Sequence, residues 1–379
     1  MNTAIHIMLT AGGTGGHIFP AIAVAEELIR RKYTISLITD KRGADLGFDL
    51  ETVSVHRVNT STVRGGLLTK INGVMSIGVG IFQAQKLLRK FRSKFVIGFG
   101  GYPTVPTMVA AGIARLPYII HEQNAVIGRA NRLVAKRASG VATSFTQTIG
   151  LAPELEDRVI NTGNPVRSAF TEIRDRGYPT LQCKNERLRV LILGGSQGAK
   201  IFSEVIPKAF TKIPEKLRQR FYITQQCRSE DITSVQDQYR QAGMSVELKT
   251  FFYNVPQLMG AAHIVITRSG ASTVAELAEA GRPSILVPYP NATDDHQTEN
   301  ARSIEGAGAG WLIPNDAFTP KTLKNHLEGL IKTPEIAETA AGAARLLGGG
   351  NAAARVVDEV EKILKPLPST KPENRVGTE

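Results

Sequence analysis

Short, almost unbroken apolar runs recur along the chain, separated by amphipathic stretches and glycine-rich turns. The first half carries "IHIML" (5–9), "YTISLIT" (33–39), "KFVIGFG" (94–100), "PYIIHE" (117–122) and "GVATS" (140–144). The second half carries "RLRVLIL" (187–193), "RFYITQQ" (220–226), "SVELKTF" (245–251), "HIVITR" (263–268) and "PSILVPY" (283–289). Strands apolar on both faces belong in parallel sheets covered by helices on each side; strict alternation would mark half-exposed strands. With helical patterns between them, these runs predict an α/β protein of two doubly wound, parallel-sheet domains facing a central cleft.

The opening unit occurs twice. "IHIMLTAGGTGGHIFPAIAVAEEL" (5–28) and "RLRVLILGGSQGAKIFSEVIPKAF" (187–210) each pass from an apolar run through a glycine-rich turn into a helix. A boundary is expected near "NTGNPVR" (161–167), giving domains of 1–163 and 164–350, with Ala169–Glu186 polar and irregular after it. In "NAAARVVDEVEKILKPL", the residues Ala353, Val356, Val357, Val360, Ile363 and Leu364 keep i, i+3, i+4 spacing. They predict an amphipathic helix over about 351–366 with Asn351 as N-cap, followed by a disordered tail at 367–379.

Composition fits this picture: 379 residues accommodate two cores, with 42% hydrophobic and 21% charged side chains. The N-terminal apolar run is too short for a signal peptide and meets glycines at once. The two cysteines, Cys183 and Cys227, lack metal-ligand spacing and suggest a reducing compartment without a disulfide framework.

Charge changes the picture more. The net charge is +12, and Thr52–Pro153 alone holds thirteen Lys and Arg residues against a single acid, Glu122. All the excess charge therefore lies in this stretch, where it would attract a polyanion: nucleic acid, anionic lipid or a phosphorylated substrate. Within it, "KINGVMSIGVGIFQAQKLLRKFRSK" (70–94) begins apolar and ends with Lys86, Arg89, Lys90, Arg92 and Lys94. The apolar part is shorter than the roughly 20 residues needed to cross a bilayer. It suits either a helix lying on an anionic membrane or a buried helix whose C-terminal cations complement its dipole.

Three segments carry candidate chemistry. The first glycine loop fails the dinucleotide fingerprint, because G-x-G-x-x-G begun at Gly13 meets Ile18, although Asp40 ends the second strand where a ribose-binding acid would sit. Neither loop is a Walker A motif: Gly16 is followed by His17, and Gly198 by Ala199-Lys200. A loop that brings backbone amides to a diphosphate or sugar remains, with His17 a general base or simply a helix-start residue. In "TRSGASTVAELAEAG" (267–281), the amides of Ala271–Thr273 and the helix dipole form an anion site. Glu276 could accept the hydroxyls of a ribose, but on spacing alone it reads first as the acid of a capping box begun by Thr273. The polar loop "PNATDDHQTENA" (290–301) lies at a strand's C-terminal end, where open α/β sheets bind ligands. In "HEQNAVIGRANR" (121–132), Glu122 is expected to pair with Arg129 or Arg132. No Asp-x-Asp triplet occurs, so no metal and no cofactor is expected to hold a nucleotide diphosphate.

Together these motifs resemble the MurG family of bacterial undecaprenyl-diphospho-muramoylpentapeptide N-acetylglucosaminyltransferases. The resemblance rests on "AGGTGGHIFPA", "GFGGYPTVP" (98–106), "HEQNAVIGRANR", "GNPVR", "GGSQGA", "TRSGASTVAE" and "DDHQTENA", in order from residue 11 to 301. One departure is Ile127, where many members have proline. The resemblance implies a GT-B fold with the last helix returning to the N-terminal domain. It implies inverting transfer of N-acetylglucosamine from UDP-N-acetylglucosamine to lipid I, giving lipid II and UDP in peptidoglycan synthesis. It further implies that Thr14, Gly15, Gly16, Asn124, Arg167 and Ser196 line the donor site, with Phe252 beside the uracil. Ala271, Ser272 and Thr273 would meet the diphosphate, Glu276 the ribose, and His296 and Gln297 the sugar. His17 is the expected base, with Glu122 second. A lipid-linked diphosphate substrate also gives the basic N-terminal half a purpose, as a peripheral anchor on the cytoplasmic face of the membrane. A UDP-N-acetylglucosamine 2-epimerase of the same fold has no need of that surface. An oxidoreductase using NAD is disfavoured by the glycine spacing, and a nucleic-acid-binding protein leaves the two strand–glycine–helix halves unexplained.

Overall fold

The computed structural model describes residues 5–40, 53–60, 67–181, 186–195 and 198–365. The disordered tail expected at 367–379, Cys183 and the candidate Ser196 lie outside the described residues.

The first half contains β1 (His6–Thr10), α1 (Gly15–Arg30), β2 (Thr34–Thr39), β3 (Ser54–Arg57), α2 (Leu67–Lys90), β4 (Phe95–Gly98) and α3 (Thr104–Ile113). It continues with β5 (Tyr118–Glu122), α4 (Arg129–Val134), β6 (Gly140–Thr143) and β7 (Val159–Asn161). The strands form one sheet of order β3-β2-β1-β4-β5-β6-β7, parallel throughout.

The second half contains α5 (Ser168–Arg176), β8 (Leu188–Leu193), α6 (Lys200–Thr211), α7 (Glu215–Arg218), β9 (Phe221–Gln226), α8 (Ile232–Gln241), β10 (Val246–Lys249) and α9 (Val255–Ala261). There follow β11 (Ile264–Thr267), α10 (Ala271–Ala280), β12 (Ser284–Leu286), α11 (His296–Gly306), β13 (Gly310–Leu312), α12 (Pro320–Lys332), α13 (Glu335–Leu347) and α14 (Ala352–Leu364). The second sheet runs β10-β9-β8-β11-β12-β13, again parallel. Both sheets reverse strand order at their first strand, so the glycine loops after β1 and β8 open at the switch points, where such sheets bind ligands.

The central strands are buried on both faces, which is why they read as continuous apolar runs. β3, β7 and β13 were not legible in that pattern: all three are edge strands of three or four residues, partly exposed. The stretch expected to be irregular after Ala169 contains α5 instead. Its polar surface concealed Phe170 and Ile173, spaced i, i+3, which are buried beneath it with Met259 and Leu277.

α14 lays Val356, Val357 and Val360 against Ile18, Ala21 and Leu28, within the core of the first half. Arg31 of the α1 terminus reinforces this contact by pairing with Asp358 and Glu361. Asn351 stands at the start of α14 as expected, yet it caps with no side-chain hydrogen bond and sits in the left-handed region at φ 61°.

α2 has two faces. Ala84 and Leu88 are buried, while Met75, Val79 and Phe82 are 65%, 48% and 71% exposed. Those three follow one another at helical spacing, and the exposed Lys86, Arg89 and Lys90 continue the stripe. Among the described residues, no helix is long and apolar enough to cross a membrane.

Candidate active site

The loops after β1 and β4 meet backbone to backbone. Gly12 N–H donates to the Gly100 carbonyl at 2.9 Å. Gly101 has φ 79°, and a Cβ there would stand 2.7 Å from the Gly12 Cα. No side chain fits at either position, so Gly12 and Gly101 let the two loops touch. Above them, Gly12, Gly13, Thr14 and His17 line a cavity of about 780 Å³. Its other wall includes Asp40, Tyr102, Asn124, Arg129 and His296.

His17 lies in the first turn of α1, its backbone N–H donating to the Thr14 carbonyl at 3.0 Å. Thr14 is the N-cap residue and makes no side-chain cap bond, which leaves its hydroxyl beside the cavity. Burial pushes the His17 imidazole below its ordinary pKa, while the hydrogen bond with Gln123, the Glu122 carboxylate and the Phe99 carbonyl pull the other way. The ring is therefore neutral near pH 7, the form a base requires.

Glu122 pairs with neither Arg129 nor Arg132, which bond Asp294 and the Ile127 carbonyl instead. Its Oε1 accepts from the Asn124 backbone and side-chain N–H groups at 3.0 and 3.3 Å. Its Oε2 accepts from Gly128 N–H and Asn131 Nδ2, both at 2.8 Å. With four donors engaged and 1% exposure, this carboxylate organises the loop after β5. Arg129 reaches across the cleft to Asp294 at 2.9 Å. Ile127, the departure from the family pattern, is also used: its N–H donates to the Ile149 carbonyl at 2.9 Å, a bond proline could not make.

The start of α10 faces the start of α1. Its first backbone hydrogen bond runs from Val274 N–H to the Gly270 carbonyl, so the N–H groups of Ala271, Ser272 and Thr273 have no acceptor within the helix. Gly270 is the N-cap, and no capping box forms: Glu276 instead bonds Arg167 at 2.8 Å. Burial raises the Glu276 carboxyl above its usual range and Arg167 opposes the rise. The Arg167 guanidinium stacks 4.3 Å from the Phe19 ring of α1, so it touches both halves.

Pro20 contributes a further link. Lacking an N–H, it leaves the Gly16 carbonyl without its usual helical partner, and Ser272 Oγ donates to that carbonyl at 3.3 Å. Gly15 and Gly16 thus open α1 directly opposite the α10 terminus. His296 Nδ1 bonds the Thr293 carbonyl at 2.7 Å, and Gln297 Oε1 accepts from Tyr289 N–H at 2.9 Å. Phe252 is 3% exposed and packs into the second core, while its neighbours Phe251 and Tyr253 are exposed.

Several residues that organise the cleft were not singled out from sequence. Asn300 is fully buried; its Oδ1 accepts from Ala125 N–H at 2.9 Å, and its Nδ2 donates to Asn124 Oδ1 and the Ser269 carbonyl, each at 3.1 Å. It thereby joins the loop after β5 to the loop before α10. Gln123 and His121 bond one another beneath His17. All three lie inside motifs quoted above, but only the contacts between segments reveal what they do.

The glycosyltransferase family 28 N-terminal domain matches residues 7–143, and the glycosyltransferase family 28 C-terminal domain matches 189–360. A protein of Rhodospirillum centenum named UDP-N-acetylglucosamine--N-acetylmuramyl-(pentapeptide) pyrophosphoryl-undecaprenol N-acetylglucosamine transferase is 46% identical over 354 residues, 93% of each chain. A protein of the same name from Paramagnetospirillum magneticum is 46% identical over 355 residues, covering 93% of this chain and 95% of its own. The crystal structure of Acinetobacter baumannii MurG superposes with TM-score 0.76 at 28% identity, covering 94% of this chain and 99% of that one.

Proposed function

The chain belongs to glycosyltransferase family 28, and from that membership we propose that it transfers N-acetylglucosamine from UDP-N-acetylglucosamine to lipid I. Lipid II and UDP are the products, and the step belongs to peptidoglycan synthesis. The observation that carries this reading is 46% identity, along 93% of both chains, to a transferase named for that donor and acceptor.

The reaction is a single displacement with inversion. The acceptor enters over residues 1–163, and the donor binds against 164–350. His17 takes the proton of the attacking 4-hydroxyl as that oxygen bonds the anomeric carbon. The bond to UDP breaks on the opposite face and its electron pair leaves with the diphosphate. The three free N–H groups and the dipole of α10 receive that charge, near Thr14–Gly16 on the facing loop. Glu276 holds the ribose, with Arg167, Asn124, His296 and Gln297 around the nucleotide and sugar; Phe252 lies under the uracil, and Ser196 completes the donor set. Glu122 shapes the loop beside the base, each of its oxygens accepting two N–H groups. Incubation with radiolabelled UDP-N-acetylglucosamine and a lipid I analogue is expected to label the lipid product. A folded protein that transferred no label would overturn the reading.

The enzyme docks peripherally on the cytoplasmic face of the membrane through the α2 stripe. Burying Phe82 is worth about 1.5–3 kcal/mol, and each cation near an anionic surface about 1 kcal/mol more. Phe82→Asp is expected to weaken binding to phosphatidylglycerol vesicles by about tenfold or more in a sedimentation assay, with turnover of a water-soluble acceptor unchanged. Unaltered vesicle binding would remove α2 from this role.

A further inference from the structure

A buried chain of hydrogen bonds runs from the segment joining the two halves to His17. Its direction follows from two carbonyl groups, which can only accept. The Gly163 carbonyl lies 3.0 Å from His121 Nε2, so that nitrogen carries the proton and His121 Nδ1 is the acceptor. The Gln123 amide nitrogen lies 3.0 Å from His121 Nδ1 and 3.0 Å from the His121 carbonyl. Because that carbonyl only accepts, it is the NH₂ end of Gln123 that faces His121, and both of its hydrogens are engaged. Gln123 Oε1 therefore faces His17 Nδ1, at 3.1 Å. An amide oxygen accepts, so His17 Nδ1 holds the hydrogen and Nε2 holds the lone pair.

His121 is fully buried and Gln123 is 1% exposed, so solvent does not supply alternative partners. Burial also pulls the His121 pKa down to about 4, which keeps its ring neutral over the working range and preserves the chain. The reverse tautomer of His17 would set a lone pair against the Gln123 oxygen, disfavouring it by about tenfold to a hundredfold. Charge uptake does not disturb the arrangement either: the imidazolium still donates from Nδ1 to the same oxygen.

We propose that Gln123 and His121 are positioning residues that hold His17 as its Nδ1–H tautomer and reserve Nε2 for the proton of the acceptor hydroxyl. The inference rests on His17 being the base. The hydroxyl proton moves to Nε2 as the oxygen–carbon bond forms and UDP departs, and the imidazolium later returns that proton to solvent. The titratable groups facing His17 are Glu122, at the end of β5, and His296, at the start of α11. Neither hydrogen-bonds its Nδ1.

Nitrogen-15 spectra of the imidazoles test this directly on the intact enzyme. His17 should read as Nδ1–H and His121 as Nε2–H; a wild-type His17 in the Nε2–H form would overturn the proposal without recourse to any variant. Gln123→Met should give His17 a mixture of tautomers and lower kcat by about two- to fivefold, in proportion to the competent tautomer lost, with KM for UDP-N-acetylglucosamine unchanged. A changed tautomer with unchanged kcat would also overturn it. Gln123→Glu keeps an acceptor opposite Nδ1 and should recover most of the loss. Its negative charge stabilises the imidazolium, so the acid limb of the pH profile should move to higher pH. Full turnover in His17→Ala would instead remove the base reading, whatever the spectra show.

Discussion

Replacing His17 by alanine is expected to lower kcat by about 10²–10⁴-fold, the range a positioned general base contributes, while UDP-N-acetylglucosamine binds as before. The split follows from where the side chain stands. His17 lines the cavity on the N-terminal wall, whereas Glu276 and the N–H groups assigned to the ribose and diphosphate lie on α10 in the other half. Truncation also leaves the backbone of the first turn intact, because the His17 N–H bond to Thr14 does not involve the ring. Single-turnover rates with saturating donor, beside donor affinity measured calorimetrically, separate the two quantities. The pH dependence has a defined sign. Burial lowers the imidazole pKa, so the base stays neutral below the ordinary histidine range and the acid limb of kcat should fall on that lower side. Equal losses in binding and turnover would instead mean that the ring supports the loop.

The largest effect on stability is expected at Arg282, in the second half. This guanidinium is 1% exposed and donates to five carbonyl groups. Nε meets Met259; Nη1 meets Ala280 and Gly281; Nη2 meets Gly177 and Gly260, over 2.6–3.2 Å. Those carbonyls lie at the C-terminal ends of α9 and α10 and just beyond α5, where backbone acceptors lack helical partners and a cation complements the dipoles. Burial pulls its pKa down to about 10, which still leaves it charged at neutral pH. Arg282→Met fills similar space but strands the carbonyls in a dry interior, and should cost about 3–5 kcal/mol. Arg282→Lys should rescue little, since an ammonium has three donors and no fork. Denaturant melts followed by a probe in the second half would measure the loss, and a change below about 1 kcal/mol would show that water replaces the arginine. Since α10 carries the proposed diphosphate site at its other end, partial loss of donor affinity should accompany the instability.

Legibility divided along physical lines. The central strands were visible because burial on both faces demands apolar residues at every position, and the helices after the glycine loops because their periodicity is local. β3, β7 and β13 were hidden because short, half-exposed edge strands impose no such demand. α5 was hidden because nine residues with four charges conceal two core contacts. At the site, His17 and the α10 terminus each sit inside one contiguous motif. Asn300 and Arg282 act through carbonyls and amides of other segments, where a backbone group leaves no trace in residue type, and Gln123 through an imidazole that only folding brings near.

The order of residues by itself determined the class of fold, the repeated strand–glycine–helix unit, the basic N-terminal half and the chemistry on offer, since each depends on spacing within a short stretch. Only the tertiary structure decided that Gly12 presses against the loop after β4. It also decided that Glu122 is engaged by four N–H donors rather than an arginine, and that Glu276 bonds Arg167 rather than capping its helix. Hydrogen-bond direction and charge pairing depend on which groups meet in space, and folding brings together partners as far apart in the chain as Arg167 and Glu276.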